Sequence, residues 1–317
     1  MRWQAPLTRR RLFQALIGWL SLRPLLSEVS LPGGENWIGA RLRGFKRSAT
    51  ASRRYRIDAT ILICSAPVFT RKGVGEAYAS IESGASDGAT AVALQFAAGC
   101  WPERAAGLNR FGILREAAIE DQDGNTEYVF AGLITTSKEE SLGEARKSLA
   151  ASNTGTPLTV ARGIIRERRA TAWTGHIEVP REFRWTDAAA MLGKTLGPEQ
   201  ALAPREIAVD HAPTFLAAMR NAAVQSQSSR RFPFLHNGKL YRLDVQRGRG
   251  SARELASVIW NSLGAKAAEF RTSYRTGDQS GLPEFIDYRP KSFLRLSLHA
   301  EQDATHNQIP SIFTEEA

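Results

Sequence analysis

The sequence predicts a mainly β protein of the β-rich α+β type, in which a large curved antiparallel sheet forms an open barrel or half-barrel with two or so helices. Three observations lead to this prediction: many short segments alternate apolar and polar residues, turn-forming residues separate them, and helical periodicity is rare. The chain has 317 residues, of which 43% are hydrophobic. A chain of this length can bury a sizeable core without disulfides or metals.

The strand pattern begins at Tyr55. Between residues 55 and 63 apolar side chains occupy every second position, which is typical of a half-buried strand. Similar β-compatible segments bring the expected number to about eleven strands, the others lying at 74–81, 91–96, 111–119, 128–135, 158–165, 171–179, 239–245, 268–274, 285–288 and 292–298. Residues 255–263 fit either a helix start or a strand, and their Ala-Ser-Val-Ile-Trp run favours the strand.

Turns and helices separate these strands. Residues 84–88 and 121–125 are rich in Gly, Ser, Asp and Asn, which predicts hairpin turns. Ser137 and Glu140 form a capping box that predicts one helix, and Pro213 opens a second run with helical spacing. We therefore expect a β-rich body over 55–300, followed by a C-terminal tail over 301–317.

The amino terminus has the organisation of an export signal, which we assign to residues 1–34. Three arginines precede an eleven-residue apolar run over 12–22, a length that is typical of signal peptides and too short to span a bilayer. The order Thr-Arg-Arg-x-Leu-Phe resembles the twin-arginine signal, and this resemblance makes Arg9 and Arg10 the targeting residues. It implies a periplasmic or secreted protein. No small-x-small cleavage motif follows Leu22 directly, and an Arg-rich amphipathic surface helix is the alternative.

The charge is concentrated at the same end of the chain. Residues 1–54 contain eleven of the 42 basic residues and two of the 32 acidic ones, so they carry +9 of the net charge of +10. A nearly neutral body is a poor surface for nucleic acid, and we expect no nucleic-acid partner. Residues 35–54 are interpreted as a basic, flexible linker that is either solvated or held peripherally at anionic lipid.

The closing part of the sequence carries a second resemblance. Residues 241–245 (Tyr-Arg-Leu-Asp-Val), 281–284 (Gly-Leu-Pro-Glu) and 292–298 follow a strand, Leu-Pro turn, strand pattern. This part, roughly the last quarter of the chain, resembles uncharacterised exported bacterial proteins, whose curved sheets look like the half-barrel of periplasmic lipoprotein carriers. The resemblance implies the fold.

The sequence contains fragments of catalytic and metal-binding motifs, and each departs from the full motif or from its structural context. Residues 84–88 match the G-x-S-x-G pattern around Ser86, but a strand on both sides predicts a hairpin turn instead of a hydrolase elbow. The five histidines lack metal-binding spacing, although His176 and Glu178 share one side of a strand. Asp121 and Asp123 lie in a loop that departs from the calcium-binding pattern. We expect no cofactor and no metal.

Two further sets of residues allow alternatives. Cys64 and Cys100 either pair, if the protein is exported, or are two small buried hydrophobic residues. Several aromatic residues either line an apolar cavity or fill the core, namely Trp101, Trp173, Trp185, Trp260, Phe232, Phe234 and Tyr241.

The leading functional hypothesis is an exported protein that has no catalytic role and binds an apolar ligand, such as a lipid, or an envelope partner. It rests on the signal, the number of strands and the lack of a recognisable catalytic constellation. The alternatives are a hydrolase whose site is not recognisable in the sequence and an envelope structural factor without a small ligand. A deep apolar cavity favours the first, a polar cleft with His and carboxylates the second, and a filled interior the third.

Overall fold

The computed structural model describes the central part of the chain and several shorter ranges. The described residues are 38–135, 144, 156–166, 169–180, 182–187, 203–208, 214, 217, 231–236, 239–247, 255–261, 270–275 and 280–301. They form 14 strands in one open, curved antiparallel sheet, together with a four-residue helix α1 (Gly39–Leu42) and a 3-10 turn at Trp185–Asp187. The predicted fold class is therefore confirmed. None of the helices in these ranges has the length and apolar character needed to cross a membrane.

Consecutive strands pair as antiparallel neighbours, except the eighth and the ninth, which lie at the two edges of the sheet. The strands are β1 (Lys46–Ile63), β2 (Ala66–Ser86), β3 (Ala89–Cys100), β4 (Phe111–Asp121), β5 (Thr126–Thr135), β6 (Thr156–Arg166), β7 (Arg169–Val179), β8 (Ala203–Ala208), β9 (Arg231–His236), β10 (Lys239–Arg247), β11 (Leu255–Asn261), β12 (Phe270–Arg275), β13 (Phe285–Lys291) and β14 (Leu294–Ala300). Their order in the sheet is β8-β7-β6-β5-β4-β3-β2-β1-β14-β13-β12-β11-β10-β9. The first and the last strand of the chain thus lie side by side in the middle of the sheet.

Side-chain and backbone contacts reinforce this central junction. The Tyr55 hydroxyl, fully buried, donates to the Pro283 carbonyl over 2.7 Å, and Arg53 Nη1 donates to the Leu282 carbonyl over the same distance. Arg53 also contacts the Glu284 carboxylate at 3.3 Å. These bonds fix the turn before β13 against β1, so the C-terminal hairpin has a defined position.

Both outer strands of the sheet contain a proline. Pro204 lies in β8 and Pro233 in β9, and each of these strands pairs on one side only within the described part of the chain. Proline cannot donate a ladder hydrogen bond and is tolerated at sheet edges. A proline also lowers the tendency of an exposed edge to pair with another chain.

Each face of the sheet carries an apolar core. We call the face that α1 covers the α1 face; its centre consists of Tyr78, Ala93, Ala97, Phe111, Ile113, Ala117, Val129, Ala131, Leu133, Leu158 and Val160, on which Ile38, Leu42 and Trp185 pack. The opposite face, which we call the Ala217 face, buries Tyr55, Ile57, Ala77, Ala79, Leu94, Ile286 and Leu298 together with Ala217. Because neighbouring residues of a strand point to opposite faces, both faces draw on the same strands.

The basic linker predicted over 35–54 is wrong where the structure describes it. Residues 39–42 form α1, and β1 begins at Lys46 and pairs with β2 from Lys46–Ala85 onward. Arg41 Nη1 ties α1 to Glu127 of β5 at 3.0 Å. Lys46 to Thr50 are exposed, so this end of β1 is held by backbone pairing and shows no apolar alternation. Its basic, polar composition is therefore the same as that of a linker.

Other predictions are confirmed or lie outside the described ranges. Residues 255–261 form the expected strand, whereas β8 and β9 were not predicted. The body's first strand begins before residue 55, and the expected number of strands was too low. The predicted helices at Ser137 and Pro213, the signal at 1–34 with Arg9 and Arg10, and nearly all of the tail lie outside the residues that the structure describes.

Candidate functional site

A cavity of about 180 Å³ opens on the Ala217 face above the middle strands of the first meander. We call it the β3–β5 cavity, because its lining residues come from these three strands and from Ala217: Thr90, Val92, Leu94, Ala118, Glu120, Thr126, Tyr128 and Ala217. It lies where β3, β4 and β5 pair residue by residue without a shift of register. The floor of the cavity is therefore a regular part of the sheet.

The register divides the cavity into an apolar and a polar part. Val92, Ala118 and Tyr128 are direct cross-strand neighbours and form the central row. Ala118 has a short side chain between two larger ones, and this leaves the space that the cavity occupies.

A second row, displaced by two residues, contains Thr90, Glu120 and Thr126 and lies nearer the end of the strands. Thr90 and Glu120 are exposed, while Leu94 at the other end is buried. The cavity is thus apolar inside and polar at its rim.

Tyr128 is the side chain that joins the two parts. Burial raises the pKa of its hydroxyl, and the carboxylates of Glu116 and Glu120 raise it further. The phenol is therefore neutral at physiological pH, where it can both donate and accept a hydrogen bond. Its ring adds apolar surface to the cavity and its hydroxyl adds a polar group.

The volume sets the size of what the cavity can hold. A cavity of about 150 Å³ lined by apolar side chains accommodates benzene. The β3–β5 cavity is of that order, so it fits one aromatic ring or a short length of hydrocarbon chain. With a polar rim that contains one carboxylate, it suits an apolar group that ends in an uncharged or cationic polar group.

A separate polar cluster lies on the α1 face where β1, β2 and β14 meet. The Asp58 carboxylate, 6% exposed, accepts hydrogen bonds from Arg56 Nε at 3.1 Å and from the backbone N–H of Gly73 at 2.8 Å. His299 Nε2 lies 3.6 Å from the same carboxylate, and its ring packs on Phe285. Burial acts to raise the pKa of Asp58, but Gly73, Arg56 and His299 outweigh it and lower the pKa below its ordinary value.

The cluster is built to hold a carboxylate charged. An Asp with a lowered pKa is a weak base, and its bonds to Gly73 N fix the backbone where β2 bulges against β1. We therefore assign Asp58 a structural role at the base of the β1–β2 hairpin. The contact between Asp58 and the Gly73 N–H could not be predicted from local patterns, because it depends on the shifted register between β1 and β2.

Ser86, the serine of the G-x-S-x-G match, lies at a hairpin turn as predicted. Ser86 pairs with Ala89, so Asp87 and Gly88 form a two-residue turn, and Gly88 has the positive φ of 84° that such a turn requires. A catalytic serine would need a histidine nearby, and His299 is the histidine whose side chain the structure describes. His299 pairs with Arg56 of β1, and Arg56 pairs with Glu76 of β2, so His299 lies at the height of Glu76 along the strands. From there to Ser86 the strand runs about 33 Å at 3.3 Å per residue, so these two side chains do not form a catalytic pair.

The cysteines do not pair in the structure. Cys64 is exposed in the turn between β1 and β2, while Cys100 ends β3. Cys100 Sγ lies 2.9 Å from the Leu108 carbonyl and accepts from the Arg110 N–H at 3.0 Å, and burial raises the pKa of its thiol. The sequence left two alternatives, a disulfide or two buried thiols. Cys100 fits the second, whereas Cys64 is neither paired nor buried.

The other candidate residues separate as follows. Trp101 and Trp185 pack together with ring centroids 6.0 Å apart in the core of the α1 face, so they fill the core and do not line the cavity. Asp121 accepts hydrogen bonds from the N–H groups of Asp123 and Asn125, as expected of a turn. Outside the described side chains lie Trp173, His176, Phe232, Phe234, Tyr241 and Trp260.

Nowhere in the ranges given above do three or more His, Cys, Asp or Glu side chains come together in a way that could hold a metal ion.

The sequence pattern did not single out the residues that line the cavity, because it places Val92, Ala118 and Tyr128 only as members of three separate strands. Pairing of three strands in one register is what brings them together.

Comparisons with known proteins give a structural similarity and no similarity in sequence. No family model and no curated protein matches this chain. Among solved structures, the chain is similar to a β-barrel-like protein of the domain of unknown function DUF1849 from Brucella abortus. The TM-score is 0.43 at 9% sequence identity, and the alignment covers 79% of this chain and 96% of that one.

Proposed function

We propose that the protein is exported and that it binds an apolar or amphipathic ligand in the β3–β5 cavity. The observation that carries the proposal is the division of this cavity into an apolar row around Ala118 and a polar rim at Thr90 and Glu120. Binding sites for small apolar molecules are concave, largely apolar and supplied with a few oriented polar groups. The β3–β5 cavity shares the concave form and the polar groups, and four of its eight lining residues are aliphatic.

The ligand enters with its hydrocarbon part against Val92 and Leu94 and leaves its polar end at the rim. Glu120 is exposed there, and a carboxylate at the rim repels an anionic end group while it attracts a cationic one. The Tyr128 hydroxyl and the two threonines hydrogen-bond an uncharged end group equally well. A lipid with a neutral or cationic end group, or a short aromatic amphiphile, is the class of ligand that we propose.

Export supports a binding role and is supported in turn by the organisation of residues 1–34 around Arg9 and Arg10. A carrier of apolar molecules is useful in an aqueous compartment between membranes. The curved open sheet of the protein also agrees with the fold implied by the resemblance of residues 241–298 to proteins whose sheets look like the half-barrel of periplasmic lipoprotein carriers.

Filling the cavity tests the proposal. We expect the full chain to bind N-phenyl-1-naphthylamine, an uncharged fluorescent probe, and we expect Ala118→Phe to weaken this binding at least tenfold. The control is Ala49→Phe, the same change at an exposed alanine of β1 that does not line the cavity. Native mass spectrometry of protein purified from its own host then identifies a co-purifying lipid. Equal binding by Ala118→Phe and the control, with both variants folded by circular dichroism, would exclude the cavity as the binding site.

A further inference from the structure

The hairpin of β1 and β2 extends beyond the rest of the sheet. Ile61 pairs with Leu294 of β14 on one side and with Phe69 on the other, and Leu62 N–H donates to the Phe293 carbonyl at 2.8 Å. Residues 63–66 lie past these last contacts with β14, and residues 67–69 run beside Leu62 and Ile61 on the other side of β1. Together they make up residues 63–69. We call them the β1–β2 tip. In the tip, Cys64 and Ser65 form a two-residue turn with positive φ at both positions, as in tight hairpin turns.

The tip exposes apolar side chains to solvent on all sides. Ile63, Val68 and Phe69 are 59%, 59% and 60% exposed, and they are the large hydrophobic residues that are exposed in the described part of the chain. All residues from 63 to 72 are exposed, so no face of the tip is covered by the rest of the sheet. Exposed apolar residues gathered in one place mark a surface that meets a membrane or another protein.

Basic residues surround the base of the tip. Arg71 and Lys72 follow it in β2 and are exposed, and the sequence over 59–75 contains no acidic residue. The neighbouring hairpin of β13 and β14 adds Arg289 and Lys291, whereas its Arg295 is paired with Asp287 at 3.8 Å. An apolar end with a positively charged base is complementary to an anionic lipid surface.

The dimensions of the tip match an interfacial position in a bilayer. From Val68 to Arg71 or Lys72 the strand rises by about 10 to 13 Å at 3.3 Å per residue. Interfacial apolar groups insert about 5 to 10 Å into the boundary between headgroups and acyl chains, so the two basic residues reach the headgroup layer. A groove on a protein covers one face of a hairpin, whereas a bilayer surrounds the end of a hairpin completely.

The hairpin is held in place at its base. The Asp58 carboxylate binds Gly73 N–H at 2.8 Å, and the Thr60 and Thr70 hydroxyls lie 3.0 Å apart across the strands. A tip with a fixed base loses little conformational freedom when it binds, which favours insertion.

We propose that the β1–β2 tip inserts into the surface of anionic phospholipid membranes, with Ile63, Val68 and Phe69 among the acyl chains and with Arg71 and Lys72 at the headgroups. This site is separate from the β3–β5 cavity and does not depend on the function proposed for it. It also differs from attachment through the basic residues before Tyr55, because Lys46 and Arg47 lie at the opposite end of β1.

Vesicle binding by the full chain tests the proposal. We expect co-sedimentation with vesicles of equal parts phosphatidylglycerol and phosphatidylcholine, and at least tenfold weaker binding to phosphatidylcholine alone. Val68→Ser with Phe69→Ser and, separately, Arg71→Glu with Lys72→Glu should each weaken binding to the anionic vesicles at least tenfold. The matched control is Lys46→Glu with Arg47→Glu, which makes the same charge change at exposed positions far from the tip. All variants share the same amino terminus, so differences between them report the tip.

A fluorophore on Cys64 gives a second measurement that does not require a substitution in the tip. Cys64 is exposed in the turn, whereas Cys100 is bonded through its sulfur, and Cys100→Ser leaves Cys64 as the one thiol to label. We expect the emission of a nitrobenzoxadiazole label to shift to the blue when anionic vesicles are added. The proposal would be overturned if the protein did not bind the anionic vesicles, or if only the control variant lost vesicle binding. It would also be overturned if the tip variants abolished a dimer of the protein and left vesicle binding unchanged.

Discussion

Arg115 of β4 donates from Nε to the amide oxygen of Gln95, its direct cross-strand neighbour in β3, and both side chains are 2% exposed. The pair belongs to a row that crosses the α1 face from Ser80 in β2 to Arg162 in β6 and is polar except at Ala131. The flanking positions of β3 and β4 are apolar. Burial lowers the pKa of Arg162, but an arginine remains charged at physiological pH. The row fixes register, since sliding β4 by two residues would place the Arg115 guanidinium opposite an alanine.

Gln95→Leu is expected to destabilise the protein by about 1 to 3 kcal/mol, because the buried guanidinium of Arg115 loses its acceptor. Chemical unfolding followed by circular dichroism measures the change. Gln122→Leu, at an exposed turn, serves as the control and should change the free energy of unfolding by no more than about 0.5 kcal/mol. Equal effects at the two positions would contradict the assigned contact.

Asp58 makes the stability depend on pH in a definite direction. Its pKa in the folded protein lies below the ordinary value of 3.8, so the charged carboxylate stabilises the fold above that pH. The stabilisation is lost as the pH falls from 3.8 through the lowered folded pKa. Asp58→Asn should therefore cost about 1 to 3 kcal/mol at pH 7, and its difference from the unchanged protein should shrink below pH 4.

Urea unfolding at several pH values measures this dependence. Asp87→Asn is the matched control, because Asn-Gly forms the same hairpin turn as Asp-Gly. A constant difference between Asp58→Asn and the unchanged protein from pH 7 to pH 2 would show that the charge of Asp58 has no part in stability.

Gly163 allows β6 to approach its neighbours on the Ala217 face. A Cβ at this position would meet the Phe130 ring and would lie 2.6 Å from the Thr171 carbonyl oxygen. We expect Gly163→Ala to reduce the free energy of unfolding by about 1 to 3 kcal/mol through overpacking. Gly132→Ala in β5, where the closest atom is a carbonyl oxygen at 3.2 Å, should cost less in the same unfolding measurement.

Changing Arg9 and Arg10 together to lysine should leave the protein in the cytoplasm, because the twin-arginine route recognises that pair of residues. Cell fractionation of the double variant measures the outcome. Arg2→Lys with Arg11→Lys keeps the paired arginines and is the control, for which we expect normal export. Export of both variants to the same extent would sink the assignment of the signal.

Alternation of apolar residues was sufficient to predict the central strands. Tyr55 and Ile57 are buried, as the apolar alternation of this segment predicts. Beyond them burial departs from the pattern: Asp58, Thr60 and Leu62 are buried and Ile63 is exposed. The start of β1 could not be found this way, because Lys46 to Thr50 are exposed and carry no apolar period. Strands β8 and β9 were also not predicted; each contains a proline, which is tolerated in an edge strand.

The candidate site depended on information that no single segment contains. Val92, Ala118 and Tyr128 belong to three strands, and their row exists only in the observed register. The β1–β2 tip was missed for a different reason. Pro67 and Gly73 indicate an interruption of the chain, but the exposure of Val68 and Phe69 depends on where β3 stops beside β2, at the Gly75–Cys100 pair, and a local pattern does not report this.

The pairing of the first and last strands makes this fold divisible. β1 to β8 form one meander and β9 to β14 another, and the seven register pairs from Tyr55–Ala300 to Ile61–Leu294 form the ladder between them. Residues 209–230 link the two outer edges, so a break there separates no neighbouring strands. Two polypeptides divided in this segment would each contain a complete meander and an unsatisfied inner edge, β1 in one and β14 in the other. The protein thus has the topology of a heterodimer whose two subunits are encoded in a single chain.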